Sequence, residues 1–208
     1  MGIVITGRPF VVLTIIKINI IVFLFWILGA NAYPMLMIKN FLVSWEFVTE
    51  GRVWTLVTSV FSHNMLFHLL VNMFVFYGFG STLETIMGHK RFIAFYLMAG
   101  IVASLGHCFV SSFLLHEPGL PALGASGAVA GVIVLFSFLF PKEKLLLLGL
   151  IPMPAFVGAI LFVGLDIWGL VAQTQGSSLP IGYGAHLGGA FFGVFYYFAF
   201  IRKSRKAF

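Results

Sequence analysis

Six long apolar runs make up most of this chain, at residues 10–30, 64–82, 92–115, 126–140, 145–171 and 184–201. Each is long enough to cross or nearly cross a bilayer. A backbone in lipid must satisfy its polar groups internally, which a helix does within itself. The runs therefore predict an all-α polytopic membrane protein with six transmembrane helices. Composition agrees: 61% of the 208 residues are hydrophobic and 9% charged, too little polar surface for a soluble domain. The chain reads as a single membrane domain, 1–208, without internal repeats or low-complexity tracts. The first run lacks a strongly basic start and a small-residue cleavage site, so it is expected to be a retained span. The lone cysteine, Cys108, excludes an internal disulfide framework and a cysteine-based zinc cluster.

Charge alternates between the loops. One side carries Arg8, Lys90, Arg91, Lys142, Lys144, Arg202, Lys203, Arg205 and Lys206; the other carries only Lys39 and Arg52. The positive-inside rule then predicts that both termini are cytoplasmic. The longest connection, 31–63, lies on the opposite, outer side. Its Trp45, Phe47, Val53 and Trp54 predict a structured segment in the interface.

Polar groups at membrane depth are costly and tend to be functional. Three sites stand out: His68 with Asn72, Ser126, and His186. Counting back from the basic ends at ~1.5 Å per residue puts Ser126 roughly 22 Å above Pro141. The same count puts His186 roughly 24 Å above Arg202 and His68 roughly 24 Å above Glu84. All three fall at one level, below the outer face of a ~30 Å hydrocarbon core. The fourth run is too short to reach that face as helix. Residues 117–124 must descend as non-helical backbone, which is tolerated only beside protein or water. A cavity open to the outside, with Ser126 at its floor, is expected.

Ser126 sits in Gly124-Ala125-Ser126-Gly127 at the start of that helix. Glycines allow a tight turn and close approach of a substrate backbone, and the first helical turn offers free N–H groups to an oxyanion. In membrane spans small residues also serve helix packing. His186 lies in Gly184-Ala185-His186-Leu187-Gly188-Gly189. Gly127 with Gly131, and Gly189 with Gly193, form small-xxx-small ridges that can bring the fourth and sixth spans together. Such packing would bring a serine hydroxyl within reach of an imidazole base. His68 and Asn72, four residues apart, share a helix face. They either donate to the oxyanion or join helices.

These residues resemble the rhomboid family. The match covers nearly the whole chain: six spans, a long first outer loop, His68-x-x-x-Asn72, Gly-Ala-Ser126-Gly, Ala-His186-x-x-Gly189-x-x-x-Gly193, and Gly80-x-x-x-Glu84. The resemblance implies a Ser126–His186 dyad without a catalytic aspartate and an oxyanion hole using His68, Asn72 and the Ser126 N–H. It implies endoproteolysis of single-span or polytopic membrane-protein substrates near their outer ends, with no cofactor and no metal. Two positions depart from the family pattern. Arg52-Val53-Trp54 replaces its Trp-Arg, and Ala130 stands where an aromatic residue would stack on the histidine.

Other polar residues are read as structural. His63 has a structural or capping role at the start of the second span, and Glu84 accepts hydrogen bonds at its basic end, with Arg91 a candidate partner. Asp166 bonds a neighbouring helix or faces a small cavity. An aspartyl protease needs two carboxylates at one site, and a zinc protease an H-E-x-x-H helix; neither pattern is present. Besides the bilayer and membrane-protein substrates no partner is implied, and nucleic acid is not expected despite the net charge of +6. The competing function is a catalytically silent relative that binds transmembrane helices. The bare six-span core predicts a bacterial or archaeal plasma membrane. The segment 173–181 is a candidate gate from its Gly, Ser and Gln content.

Overall fold

The computed structural model describes residues 7–29, 32–147, 151–176 and 181–202. Helix α1 (Phe10–Gly29) is followed by three short helices, α2 (Pro34–Phe41), α3 (Trp45–Thr49) and α4 (Thr55–Thr58), and a 3₁₀ turn at Ser59–Phe61. Then come α5 (Leu66–Met87), α6 (His89–Phe109) with a π turn at Val110–Leu114, and α7 (Ser126–Leu139). A hairpin of β1 (Lys144–Leu147) and β2 (Ile151–Pro154) leads to α8 (Ala155–Thr174) and α9 (Tyr183–Tyr196), the last extended by a π turn at Tyr197–Ile201. Helices α1, α5 and α8, and α6 and α9 with their π turns, are long and apolar enough to cross a membrane.

Helix α7 is different. Its 14 residues reach only ~21 Å, and nearly all of them are buried. It forms the centre of the bundle, with α5, α6, α8 and α9 packed around it. Phe76, Phe92, Phe95, Tyr96, Val132 and Leu135 fill the core. Large apolar side chains such as Phe74, Leu165, Trp168 and Phe191 point outward, as expected where the solvent is lipid.

Two boundaries differ from the sequence expectation. The fifth span starts at Ala155 rather than Leu145. Leu145 pairs with Met153 and Lys144 with Pro154 in an antiparallel ladder. Pro152 and Pro154 oppose a helix interior, and an apolar run alone does not distinguish strand from helix. The second and third spans also reach further, meeting at Gly88, whose φ of 78° breaks the helix. The apolar pattern stops at Glu84, but the helix continues because Glu84 is fully buried and fully occupied. Its carboxylate accepts the Val11 and Val12 N–H groups at 2.7 and 2.8 Å and also pairs with His89 Nδ1. These bonds cap the first turn of α1, where a negative charge also suits the helix dipole.

The long connection is structured, as its aromatics predicted. Arg52 pairs with Glu50 and covers the Phe47 ring at 4.3 Å. This displaced arginine stays within its own loop. Ser44 caps α3 through the Phe47 N–H.

Candidate active site

The start of α7 depends on how the chain before it is held. Residues 117–124 descend without helix, and their polar backbone is paired by neighbouring elements. Ala122 forms an antiparallel bridge with Val43, Gly124 N–H donates to Ser59 O at 2.9 Å, and His107 Nε2 donates to Leu120 O at 2.9 Å. That pairing meets the requirement on non-helical backbone at depth. His107 thereby gains a place: it ties α6 to the approach segment. Gly124 has φ 124°, open to glycine alone without strain. A Cβ there would lie 2.7 Å from His68 Cε1, 3.1 Å from His68 Nε2 and 3.7 Å from Ser126 Oγ. The imidazole of α5 and the hydroxyl of α7 thus flank one point, with glycine between them because nothing larger fits.

Helices α7 and α9 meet along the two glycine ridges. A Cβ on Gly189 would fall 1.8 Å from the Gly127 carbonyl oxygen, so the backbones touch directly. This seam sets His186 beside the N-terminal turn of α7. His68, Asn72, Gly124, Ser126, Gly127 and His186 all line one cavity of about 730 Å³, the size of a ligand cleft.

His186 is held from α8. Its Nδ1 lies 2.9 Å from Asp166 Oδ1, and the Phe162 ring stacks on it at 5.8 Å between centroids and 30° between planes. Phe162 and Asp166 are four residues apart on α8 and share its face. Asp166 is 5% exposed, and its Oδ2 is buried without a partner among the described residues. Asp166 bonds a neighbouring helix, as one of its two sequence readings had it, and the group it meets is His186, for which the resemblance implied a dyad without a catalytic aspartate. Phe162 also occupies the stacking role left open by Ala130, which is fully buried. The signal was present in sequence as an aromatic four residues before a lone intramembrane aspartate. What was missing was the rotation of α8.

The bond to Asp166 fixes the tautomer: Nδ1 carries the proton and Nε2 keeps its lone pair. Among the described residues no hydrogen bond joins Ser126 Oγ to His186. Such bonds are often long in unliganded sites and tighten around substrate.

On the opposite wall, Asn72 is 6% exposed and donates one amide N–H to His68 O at 2.9 Å, the second having no partner among the described residues. His63 is fully buried and meets His68 edge-on, with ring centroids 4.9 Å apart. Its Nε2 accepts the Ala125 N–H at 3.4 Å. Of the two roles expected for it, the structural one applies: it supports the residue before Ser126 rather than capping α5. Burial, and then the neighbouring His68, lower its pKa from 6.5 to about 3, so His63 is neutral. Among the described residues no group of three or more His, Cys, Asp or Glu is placed to hold a metal ion. Part of the expected gate, 177–180, and the basic residues Lys203, Arg205 and Lys206 lie outside the described residues.

A family model described as Rhomboid domain matches residues 50–203. The chain is 33% identical over 192 residues to "RHOMBOID-like protein 12, mitochondrial" of Arabidopsis thaliana, covering 86% of this chain and 55% of that protein. It is 35% identical over 196 residues to "Rhomboid protein 1, mitochondrial" of Saccharomyces cerevisiae, covering 89% and 51%. It is 33% identical over 186 residues to "Presenilin-associated rhomboid-like protein A, mitochondrial" of Danio rerio, covering 88% and 45%. The chain spans about half the length of the curated relatives it matches. These matches correct one expectation. A bacterial or archaeal plasma membrane, and with it the cytoplasmic placement of the termini, is overturned, because the relatives are mitochondrial by name. A six-span core embedded in longer mitochondrial proteins carries no information about compartment.

Proposed function

The chain belongs to the rhomboid family, and on that premise we propose that it is a serine endopeptidase cutting transmembrane-helix substrates within the membrane. The observation that carries this reading is the His186–Asp166 pair at 2.9 Å, facing the cavity that Ser126 also lines. Ser126 Oγ attacks the scissile carbonyl carbon while His186 Nε2 takes its proton. Asp166 accepts the Nδ1–H throughout; it holds the tautomer and stabilises the imidazolium as it forms. The oxyanion is met by the Ser126 N–H, His68 and the free N–H of Asn72. His186 then returns the proton to the leaving amine, and an acyl-enzyme remains on Ser126. Water entering the cavity gives its proton to His186 and attacks the ester, releasing the new carboxyl terminus and restoring Ser126. The substrates are membrane proteins whose helices unwind locally into this cavity, and the relatives' names point to a mitochondrial membrane as the setting.

Cleavage of a single-span substrate co-reconstituted in liposomes tests the proposal. Wild type yields two fragments, and Ser126→Ala and His186→Ala each yield none above background. Equal fragment yield from Ser126→Ala would end the Ser126 mechanism, and substrate held by wild type without any fragments would end the reading in favour of helix binding without chemistry.

A further inference from the structure

A second concavity lies away from the cavity just described, on the outward face of the bundle, between α6 and α9 at the basic end. It encloses about 400 Å³. Its walls are apolar, with Ala94, Phe95 and Met98 from α6 and Phe192 and Phe195 from α9. The Phe95 ring lies 5.7 Å from Phe192 and 4.9 Å from Tyr196, so the aromatic floor is continuous. Its rim is cationic. Lys90 and Arg91 are exposed in the first turn of α6 and line the same groove. Neither forms an ion pair among the described residues. The free N–H groups of that turn add a further positive end.

Two unpaired cations over a greasy cleft call for a ligand that is anionic at one end and apolar along its length. We infer that this groove binds an anionic phospholipid, its phosphate between Lys90 and Arg91 and an acyl chain along Ala94, Met98 and Phe192. Basic pockets between transmembrane helices commonly hold such headgroups. The occupant is a bilayer lipid because the groove opens into the hydrocarbon; free phosphate would leave its apolar length unfilled.

Native mass spectrometry of the full chain in mild detergent, titrated with phosphatidylglycerol or phosphatidylcholine, tests the site. Wild type is expected to retain the anionic lipid over the zwitterionic one by roughly thirty-fold, the attraction of two basic side chains to an anionic headgroup. The double variant Lys90→Gln/Arg91→Gln loses that preference. Ala94→Trp, which fills the groove and leaves the charges, loses retention of the lipid. The control Lys142→Gln/Lys144→Gln, on the same side, keeps both. An equal loss in the control, unchanged retention in Ala94→Trp, or a second copy of the chain held in place of lipid would overturn the proposal. A phosphatidylglycerol carrying a photoreactive acyl chain gives a readout on wild type alone. Adducts on 94–98 and 192–195 support the site, and adducts only elsewhere refute it.

Discussion

Two buried carboxylates in this molecule each hold the Nδ1 of a histidine, and they do opposite things with it. At the basic end, Glu84 is saturated: two N–H groups of α1 and His89 occupy its oxygens. Behind the cavity wall, Asp166 holds His186 with one oxygen, and its other oxygen has no partner among the described residues. Glu84 spends its charge on joining α1 to α5. Asp166 leaves the far nitrogen of His186 free to act. A buried polar group with full valence stabilises the fold; one with spare valence beside a cavity is a candidate for chemistry.

The contrast breaks most visibly at Asp166. Asp166→Asn is expected to lower kcat by about 10³-fold, since an amide no longer imposes the productive tautomer or stabilises the imidazolium. The unfolding midpoint should stay near that of wild type. A loss below tenfold in single-turnover cleavage would mean that Phe162 stacking alone holds His186. The equivalent change at the other pair reverses the pattern. Glu84→Gln leaves one of the Val11 and Val12 N–H groups facing an amide N–H, at a cost of about 1–3 kcal/mol. Chemical unfolding in detergent should register that cost, with cleavage per folded molecule unchanged.

A third effect, absent at neutral pH, falls on His63. Its folded pKa of about 3 lies below the 6.5 of an unperturbed histidine. Above pH 6.5 neither state is protonated, and His63 adds no pH dependence. As pH falls from 6.5 toward 3, the unfolded chain binds a proton that the folded chain refuses. Stability therefore declines, by up to about 1.4 kcal/mol per pH unit. Unfolding midpoints measured across that window should flatten in His63→Gln relative to wild type.

The comparison also shows which features the sequence made legible. The spans, the short α7 and the convergence of His68, Ser126 and His186 on one cavity followed from apolar length and rise per residue, both properties of single segments. The glycine ridges of α7 and α9 were legible because a four-residue repeat of small residues fixes a helix face without reference to a partner. Asp166 was read as bonding a neighbouring helix, but its partner was not identified because that depends on how α8 is rotated against α9, twenty residues away, and one aspartate in an apolar run carries no period to reveal it. Residues 145–147 and 151–153 were misread as helix for a related reason: a short apolar run does not distinguish strand from helix, and the prolines that settle the matter stand at its end. Glu84 was read correctly as an acceptor, but its α1 partners are backbone groups, which no side-chain pattern announces.

The central claim is that His186, held by Asp166, activates Ser126. The rate at which a fluorophosphonate labels the reconstituted protein tests it most directly, because labelling requires an activated serine but no substrate. The account predicts that wild type labels at Ser126, that Ser126→Ala does not label, that Asp166→Asn labels slowly, and that Glu84→Gln labels at the wild-type rate per folded molecule. Wild type labelling no faster than Ser126→Ala would contradict it.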